Sequence, residues 1–521
     1  MTFLTGAQSL LRAASRAGID TCFANPGTTE MSLVAALDDP GAPRAILGLF
    51  EGVCTGAADG YARMLGRPAL TLTHLGPGFA NGIANLHNAR RARVPVVNVI
   101  GDHASWHLRY DAPLASDIAS LARPVSAWYR SVASPADCGP DLHDAVTAAC
   151  AEGGRIATLV VPMDHQADAV PDTDPAPAPA EPLRVHLAPV PAERIESLAR
   201  ALAAGAPAAF LLGATALTAE AQTSAGRIAT ATGARLFAET FPSRTERGGG
   251  LPDIDRLPYF PEAASAALAG ASRVVLVGTR EPVSYFGYPG IPAELAPPGS
   301  MVTLAGPHED GAAALHALAA LLHARGAPPT TAVGAWPIEP GALTPQAVGR
   351  LLANALPEGA IVSVEGGTCG YPFATAAARA QRHTILTNTG GAIGQGLPVA
   401  VGAALACPDR RVFALQSDGS AQYTIQALWT MARCALPVIV LIASNRRYAI
   451  LQNELGRAGL AQPGPQAMAL TRLDDPPFDW VALARGYGVP ASRVATADAL
   501  QQALSQATVA RDGPCLVEMQ L

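Results

Sequence analysis

Lysine is absent from the whole chain, so all 36 basic residues among the 521 are arginine. Without lysine there is no internal Schiff base, no P-loop lysine and no kinase-type lysine. Most pyridoxal-phosphate enzymes, P-loop NTPases and Schiff-base aldolases are therefore excluded. Long hydrophobic runs are missing too: no stretch approaches the ~18 uninterrupted apolar residues of a membrane span, and Met1–Arg12 lacks the basic segment of an export signal. A cytoplasmic location is expected. Charge is sparse at 15% and the net charge is −6, which leaves no basic footprint for nucleic acid or an anionic membrane. Small molecules are the expected partners. The eight cysteines include no CxxC pair, which points to reduced core residues rather than disulfides or a zinc ribbon.

Apolar residues are plentiful at 49%, so the chain can bury large cores, and its length suggests about three domains. Two Pro/Ala-rich stretches, Val170–Pro189 and Gly326–Pro340, interrupt the periodic pattern and read as extended linkers. They divide the chain into expected domains at 1–170, 190–326 and 341–521. Within each, short apolar runs (Ala69–Thr73, Val94–Ile100, Arg273–Val277, Val412–Leu415, Val438–Ile442) alternate with Ala/Leu-rich stretches of helical length. This alternation predicts α/β architecture, three doubly wound domains on parallel sheets. The first and third parts also resemble each other. GAADGYARMLGRPALTLTH at Gly56–His74 and AVGAALACPDRRVFALQSDG at Ala400–Gly419 share a small-residue helix, a turn and a strand in the same order.

The strand ending at Gln416 runs into Ser417-Asp418-Gly419-Ser420, followed by a helix predicted over Tyr423–Arg433. A small-residue turn between a strand end and a helix start suits a phosphate. The next strand ends at Ser444-Asn445, so Asp418 and Asn445 can converge from adjacent loops. A carboxylate and an amide oxygen, completed by a carbonyl and phosphate oxygens, suit octahedral Mg²⁺.

These residues carry a resemblance. Ser417-Asp418-Gly419, 25 residues and then Asn445 resemble the thiamine-diphosphate motif, normally written GDG with a terminal NN pair. SDGSAQYTIQALWT is similar to benzoylformate decarboxylase and acetolactate-synthase-like enzymes. Two positions depart, Ser417 for Gly and Ser444 for Asn. The resemblance implies Asp418, the Asn445 side chain and the Arg447 carbonyl as Mg²⁺ ligands, with Gly419 and Ser420 on the diphosphate. It implies the bent thiamine diphosphate resting on Ile393, with the Gly391 carbonyl facing its amino group.

In the first part, GLFEGVCTGAADGYAR resembles the family's glutamate segment. This makes Glu51 the carboxyl that meets the aminopyrimidine ring nitrogen and prepares the cofactor for proton removal. His74 matches an active-site histidine of benzoylformate decarboxylase, and Thr28 in Asn25-Pro26-Gly27-Thr28 stands where that enzyme has serine. Where the decarboxylase has a second histidine, the nearest residues here are Tyr285 and Phe286. Leu451 and Glu454 line the equivalent pocket wall. No segment resembles an FAD site, so FAD is not expected. The implied activity is decarboxylation of a 2-oxo acid, acetolactate-type carboligation, or both, in a homodimer or homotetramer with sites shared between subunits. Two alternatives remain, a noncatalytic cofactor-binding relative and a nicotinamide-dependent oxidoreductase. The latter is opposed by the lack of a convincing GxGxxG at a first βα turn.

Overall fold

The computed structural model describes residues 2–172, 182–460, 462–510 and 512–521; residues 173–181 of the stretch Val170–Pro189 lie outside the described residues. Three large sheets carry the chain. The first is parallel throughout, in the order Arg44–Leu47, Thr21–Asn25, Ala69–His74, Val96–Asp102, Ile156–Pro162 and Trp128–Ser131. The second, also parallel, runs Asp255–Arg256, Arg235–Ala238, Ala208–Leu212, Arg273–Val277 and Met301–Ala305.

The third runs Thr245–Arg247, His383–Thr387, Ala360–Val364, Val412–Ser417, Val438–Ser444, Cys515–Gln520 and Ala491–Val494. Its edge strand Thr245–Arg247 pairs antiparallel with His383–Thr387, so the chain between the second sheet's strands contributes to the third sheet. The five apolar runs expected to be strands are all strands, four of them with ends shifted by one or two residues and Arg273–Val277 unchanged. The helix expected over Tyr423–Arg433 is broken into a 3-10 turn at Gln422–Thr424 and an α-helix at Ala427–Arg433. All cysteines are free, and no described helix is long and apolar enough to cross a membrane.

The first and third sheets meet through helices Glu51–Leu65 and Gly396–Ala406, whose small residues permit close contact. A Cβ at Gly60 would overlap the Val399 backbone, and one at Gly402 would overlap the Ala57 carbonyl. Beside this crossing, Asp59 and Arg63 form a buried ion pair. Arg63 also donates to the Thr387 carbonyl at 2.7 Å, and Gln395 donates to Asp59. Buried charge is costly unless paired and hydrogen-bonded, and here both conditions are met across the junction.

Candidate active site

Parallel sheets place their functional loops at the carboxyl ends of strands, and the third sheet does so at three neighbouring strands. Val412–Ser417 delivers Asp418, which is 1% exposed and starts the short helix Asp418–Ala421. Its Oδ1 accepts from the Gly419 N–H at 2.9 Å and its Oδ2 from the Arg446 N–H at 2.6 Å. Burial holds its carboxyl above the ordinary carboxylate range. Val438–Ser444 delivers Asn445, which donates to the Thr368 hydroxyl at 3.1 Å, while its Oδ1 accepts from the Arg447 N–H at 3.2 Å. Directly after Asn445 stands Arg446, a non-glycine residue with φ +55.

The departure at Ser417 has a structural counterpart. A Cβ at Gly366 would overlap the Ser417 hydroxyl, and Gly366 itself has φ +98. The serine side chain therefore occupies space left by a missing side chain on the adjacent strand end. Ser420 donates to the Ser417 carbonyl at 3.1 Å. Gly419 is packed by Tyr448, whose ring a Cβ there would overlap.

The glycine run 389–396 is fixed by a residue that sequence reading missed. Glu365, at the end of Ala360–Val364, accepts from the Gly394 N–H at 2.6 Å and from the Gly396 N–H. Burial pushes its carboxyl up to about 7. The Gly394 carbonyl in turn accepts from Thr424 at 2.8 Å and from Asn85 at 3.3 Å. Gly391, at φ +80, lies against the Tyr285 hydroxyl, and Ile393 between these glycines keeps 36% of its surface exposed.

The first sheet supplies the proton-bearing groups. Glu51 begins helix Glu51–Leu65, and its Oε2 accepts from Asn81 at 3.0 Å. His74 ends Ala69–His74, with its Nδ1 2.9 Å from Glu30 Oε2 and 3.1 Å from the Thr29 hydroxyl. Gly78 lies between them, because a Cβ there would sit 2.8 Å from Glu51 Oε1 and 3.3 Å from His74 Cβ. Glu30 is fully buried and also accepts from the Gly27 N–H and the Thr29 hydroxyl, each at 2.6 Å. Such a partner on Nδ1 orients the imidazole and leaves Nε2 for chemistry. Thr28 is exposed in the same turn.

The remaining candidates come from two other segments. Tyr285 packs on Phe241 and Tyr259, with ring centroids 5.7 and 5.2 Å away, and touches Phe286. Leu451 and Glu454 sit on helix Ala449–Arg457, none of whose residues is buried. Glu454 accepts from the Tyr288 hydroxyl at 3.1 Å, which ties it to the chain of the second sheet. Among the described residues, no hydrogen bond joins the Glu51 side chain to residues 341–521. The link is Asn85, which donates to the Gly52 carbonyl at 2.7 Å and to that of Gly394.

The donor set fits the expected groups. Asp418 and Asn445 offer hard oxygens from adjacent loops, and no described cluster of three or more His, Cys, Asp or Glu competes with them for a metal. The glycine run leaves Ile393 exposed on a backbone that two buried N–H···Glu365 bonds hold in place.

Comparison with known proteins agrees. A model of the N-terminal TPP binding domain of thiamine pyrophosphate enzymes matches residues 4–120, and one of the C-terminal TPP binding domain matches 366–519. The Mycobacterium tuberculosis protein provisionally named acetolactate synthase large subunit IlvX is 47% identical over 99% of both chains. Benzoylformate decarboxylase of Pseudomonas aeruginosa is 31% identical over 97% of this chain and 96% of its own. Among solved structures, the thiamine diphosphate-dependent 4-hydroxybenzoylformate decarboxylase of Rhodococcus jostii superposes with a TM-score of 0.84 at 25% identity, covering 99% of this chain and 98% of its own.

Proposed function

Because this chain belongs to the thiamine-pyrophosphate enzymes of the acetolactate synthase and benzoylformate decarboxylase type, we propose that it carries out the Mg²⁺-dependent, non-oxidative decarboxylation of a 2-oxo acid. The observation that carries this reading is the Glu30–His74 pair beside Glu51. A decarboxylase must return a proton to the carbon that loses CO₂, and an imidazole held at Nδ1 by a buried carboxylate is suited to that transfer.

When bound, thiamine diphosphate supplies the electron sink that lets a 2-oxo acid lose CO₂. Glu51, kept in place by Asn81, holds and exchanges a proton at the aminopyrimidine nitrogen. Asp418 and Asn445, with the Arg447 carbonyl, would hold Mg²⁺, and Gly419 and Ser420 would hold the diphosphate. Ile393 would support the cofactor, and the Gly391 carbonyl would accept from its amino group. Thr28, Tyr285, Phe286, Leu451 and Glu454 border the substrate. The exposed Ile393, Tyr423 and Leu451 support a second subunit completing the site, in a dimer or a dimer of dimers. Glu454, hydrogen-bonded to Tyr288, narrows the wall of which Leu451 forms the apolar part.

Acetolactate-type carboligation is the second reading, favoured by the relative at 47% identity. One experiment separates the two. Enzyme with thiamine diphosphate and Mg²⁺ is given a panel of 2-oxo acids, and CO₂, aldehyde and 2-hydroxy ketone are measured. Aldehyde equal to CO₂ supports decarboxylation, whereas hydroxy ketone as the main product replaces that reading with ligation. No CO₂ from any acid, despite cofactor binding, would sink both.

A further inference from the structure

A cavity of about 400 Å³ opens between the second and third sheets, away from the carboxylates and histidine described above. Its walls are partly apolar, with Leu217, Phe237 and Ile385, and partly polar, with Arg256, Tyr371 and Thr375 and one carboxylate, the exposed Asp255. Arg256 ends the two-residue strand Asp255–Arg256 and is partly buried. Its guanidinium carbon lies over a ring face, 5.5 Å from the centroid of Tyr371. It makes no hydrogen bond or ion pair with any described residue.

Other charges do not offset it. Arg247, which lines the same cavity, is itself satisfied by Asp253 at 2.6 Å and by the Ile254 carbonyl at 2.9 Å. Desolvation pulls the guanidinium of Arg256 down from its usual range, Tyr371 acts in the other direction, and the like charge of Arg247 adds a smaller lowering. A desolvated cation without an acceptor costs free energy that a bound anion would recover. A guanidinium fork matches a carboxylate in two parallel hydrogen bonds, and the apolar walls fit a hydrocarbon body better than water.

We propose that this cavity is a binding site for a small organic carboxylate, with the carboxylate on Arg256 and the organic body against Leu217, Phe237 and Ile385. The occupant would also touch Tyr371 on helix Gly367–Ala376, the helix whose first turn carries the Thr368 hydroxyl bonded to Asn445. The site does not depend on which reaction the enzyme performs.

The test uses the full chain saturated with thiamine diphosphate and Mg²⁺, titrated calorimetrically with benzoate, its neutral isostere benzamide, and sulfate, together with thermal melts. Benzoate is expected to bind saturably and raise the Tm. Arg256→Met should weaken that binding by at least about tenfold. In carboxylate-free buffer its own Tm should equal or exceed that of the wild type, because an uncompensated charge has been removed. Ala267→Leu, which narrows the cavity and keeps the charge, should weaken benzoate binding as well. The proposal fails if no component of benzoate binding depends on Arg256, if benzamide binds as well as benzoate, or if sulfate binds and benzoate does not. A Tm lowered by Arg256→Met in carboxylate-free buffer would also overturn it, by showing the guanidinium to be satisfied in the empty protein.

Discussion

The first and third sheets are the same scaffold carrying different chemistry. Leaving aside the strand Thr245–Arg247, each sheet has its strands, counted in chain order, arranged second, first, third, fourth, sixth, fifth. Equivalent strand ends can therefore be set side by side. After the first strand stand Glu30 in one sheet and Glu365 in the other; after the third, His74 and Asp418; after the fourth, Asp102 and Asn445. The helix after the second strand starts with Glu51 in one sheet and Gly396 in the other. The first sheet thus presents groups that hold protons, and the third presents oxygens and backbone amides that suit a cation and phosphates. One fold can host both because function is set by strand-end loops, while the strands fix only their spacing.

The strongest way to break this comparison is to remove its proton-handling side. Glu51→Gln is expected to bind thiamine diphosphate and Mg²⁺ normally while kcat falls by about 10³-fold, near the middle of what general acid–base catalysis contributes. Calorimetry with steady-state rates checks it, and full activity would remove Glu51 from the mechanism. On the other sheet the opposite pattern is expected. Asp418→Ala should cost about 100-fold in Mg²⁺-dependent cofactor affinity, read in the same titration, with a rate that recovers at saturating cofactor and metal.

Glu30→Gln is next in size. The amide keeps the shape but weakens the partner of His74 Nδ1, and outer-shell partners of this kind are worth about 10 to 100-fold. The loss should appear in kcat, with KM nearly unchanged and cofactor binding intact. Gly101→Ala should reproduce it without replacing either residue, since a Cβ at Gly101 would overlap Glu30 Oε1 and displace it. A change confined to KM would instead place His74 in substrate binding.

Legibility in the sequence divided along the same line. The alternation of apolar runs and helical stretches revealed both sheets, because parallel strands buried on two faces read as continuous apolar runs. Asp418, Asn445 and Glu51 were found through local segments whose neighbours in sequence are also their neighbours in space. Glu30 and Glu365 were not, because their partners are 44 and 29 to 31 residues away. A single acid beyond a strand end carries no periodic signal. Asn85, which ties the helix of the first sheet to the glycine run 309 positions later, was equally hidden. Glu454 was expected on a pocket wall from the family pattern alone, and its bond to Tyr288 depends on how the second sheet's chain meets the third. Arg256 shows the same limit, since a lone arginine in sequence says nothing of a missing counter-ion.

Glu365 also separates the sheets by pH. Its folded-state pKa of about 7 lies above the reference of 4.5, so the native state holds this proton more tightly than the unfolded chain. The stability it contributes is therefore full below about pH 4.5 and is lost as pH rises through about 7. Cofactor-free protein should show its Tm declining by roughly 1–3 °C over that window relative to Glu365→Gln, which lacks the titrating group. Parallel Tm profiles for the two proteins would mean that the carboxyl is ionised throughout.

The smallest expected effect concerns the serine in the metal motif. Ser417→Gly restores the usual motif but empties the space beside Gly366, so its stability change should stay within about 1 kcal/mol, and Mg²⁺ affinity should change little because Asp418 and Asn445 remain. Gly366→Ala is different. Its Cβ would overlap the Ser417 hydroxyl and would sit on a backbone at φ +98, so both a clash and conformational strain oppose it. Only the clash depends on Ser417. In the Ser417→Gly background the cost of Gly366→Ala should therefore drop by about 1 kcal/mol while the strain remains, a coupling that a double-mutant cycle of urea denaturation measures directly. If the two changes simply add, then the serine does not depend on the glycine opposite. If they couple, the altered motif residue depends on the space that Gly366 leaves beside it, with Asp418 left in place.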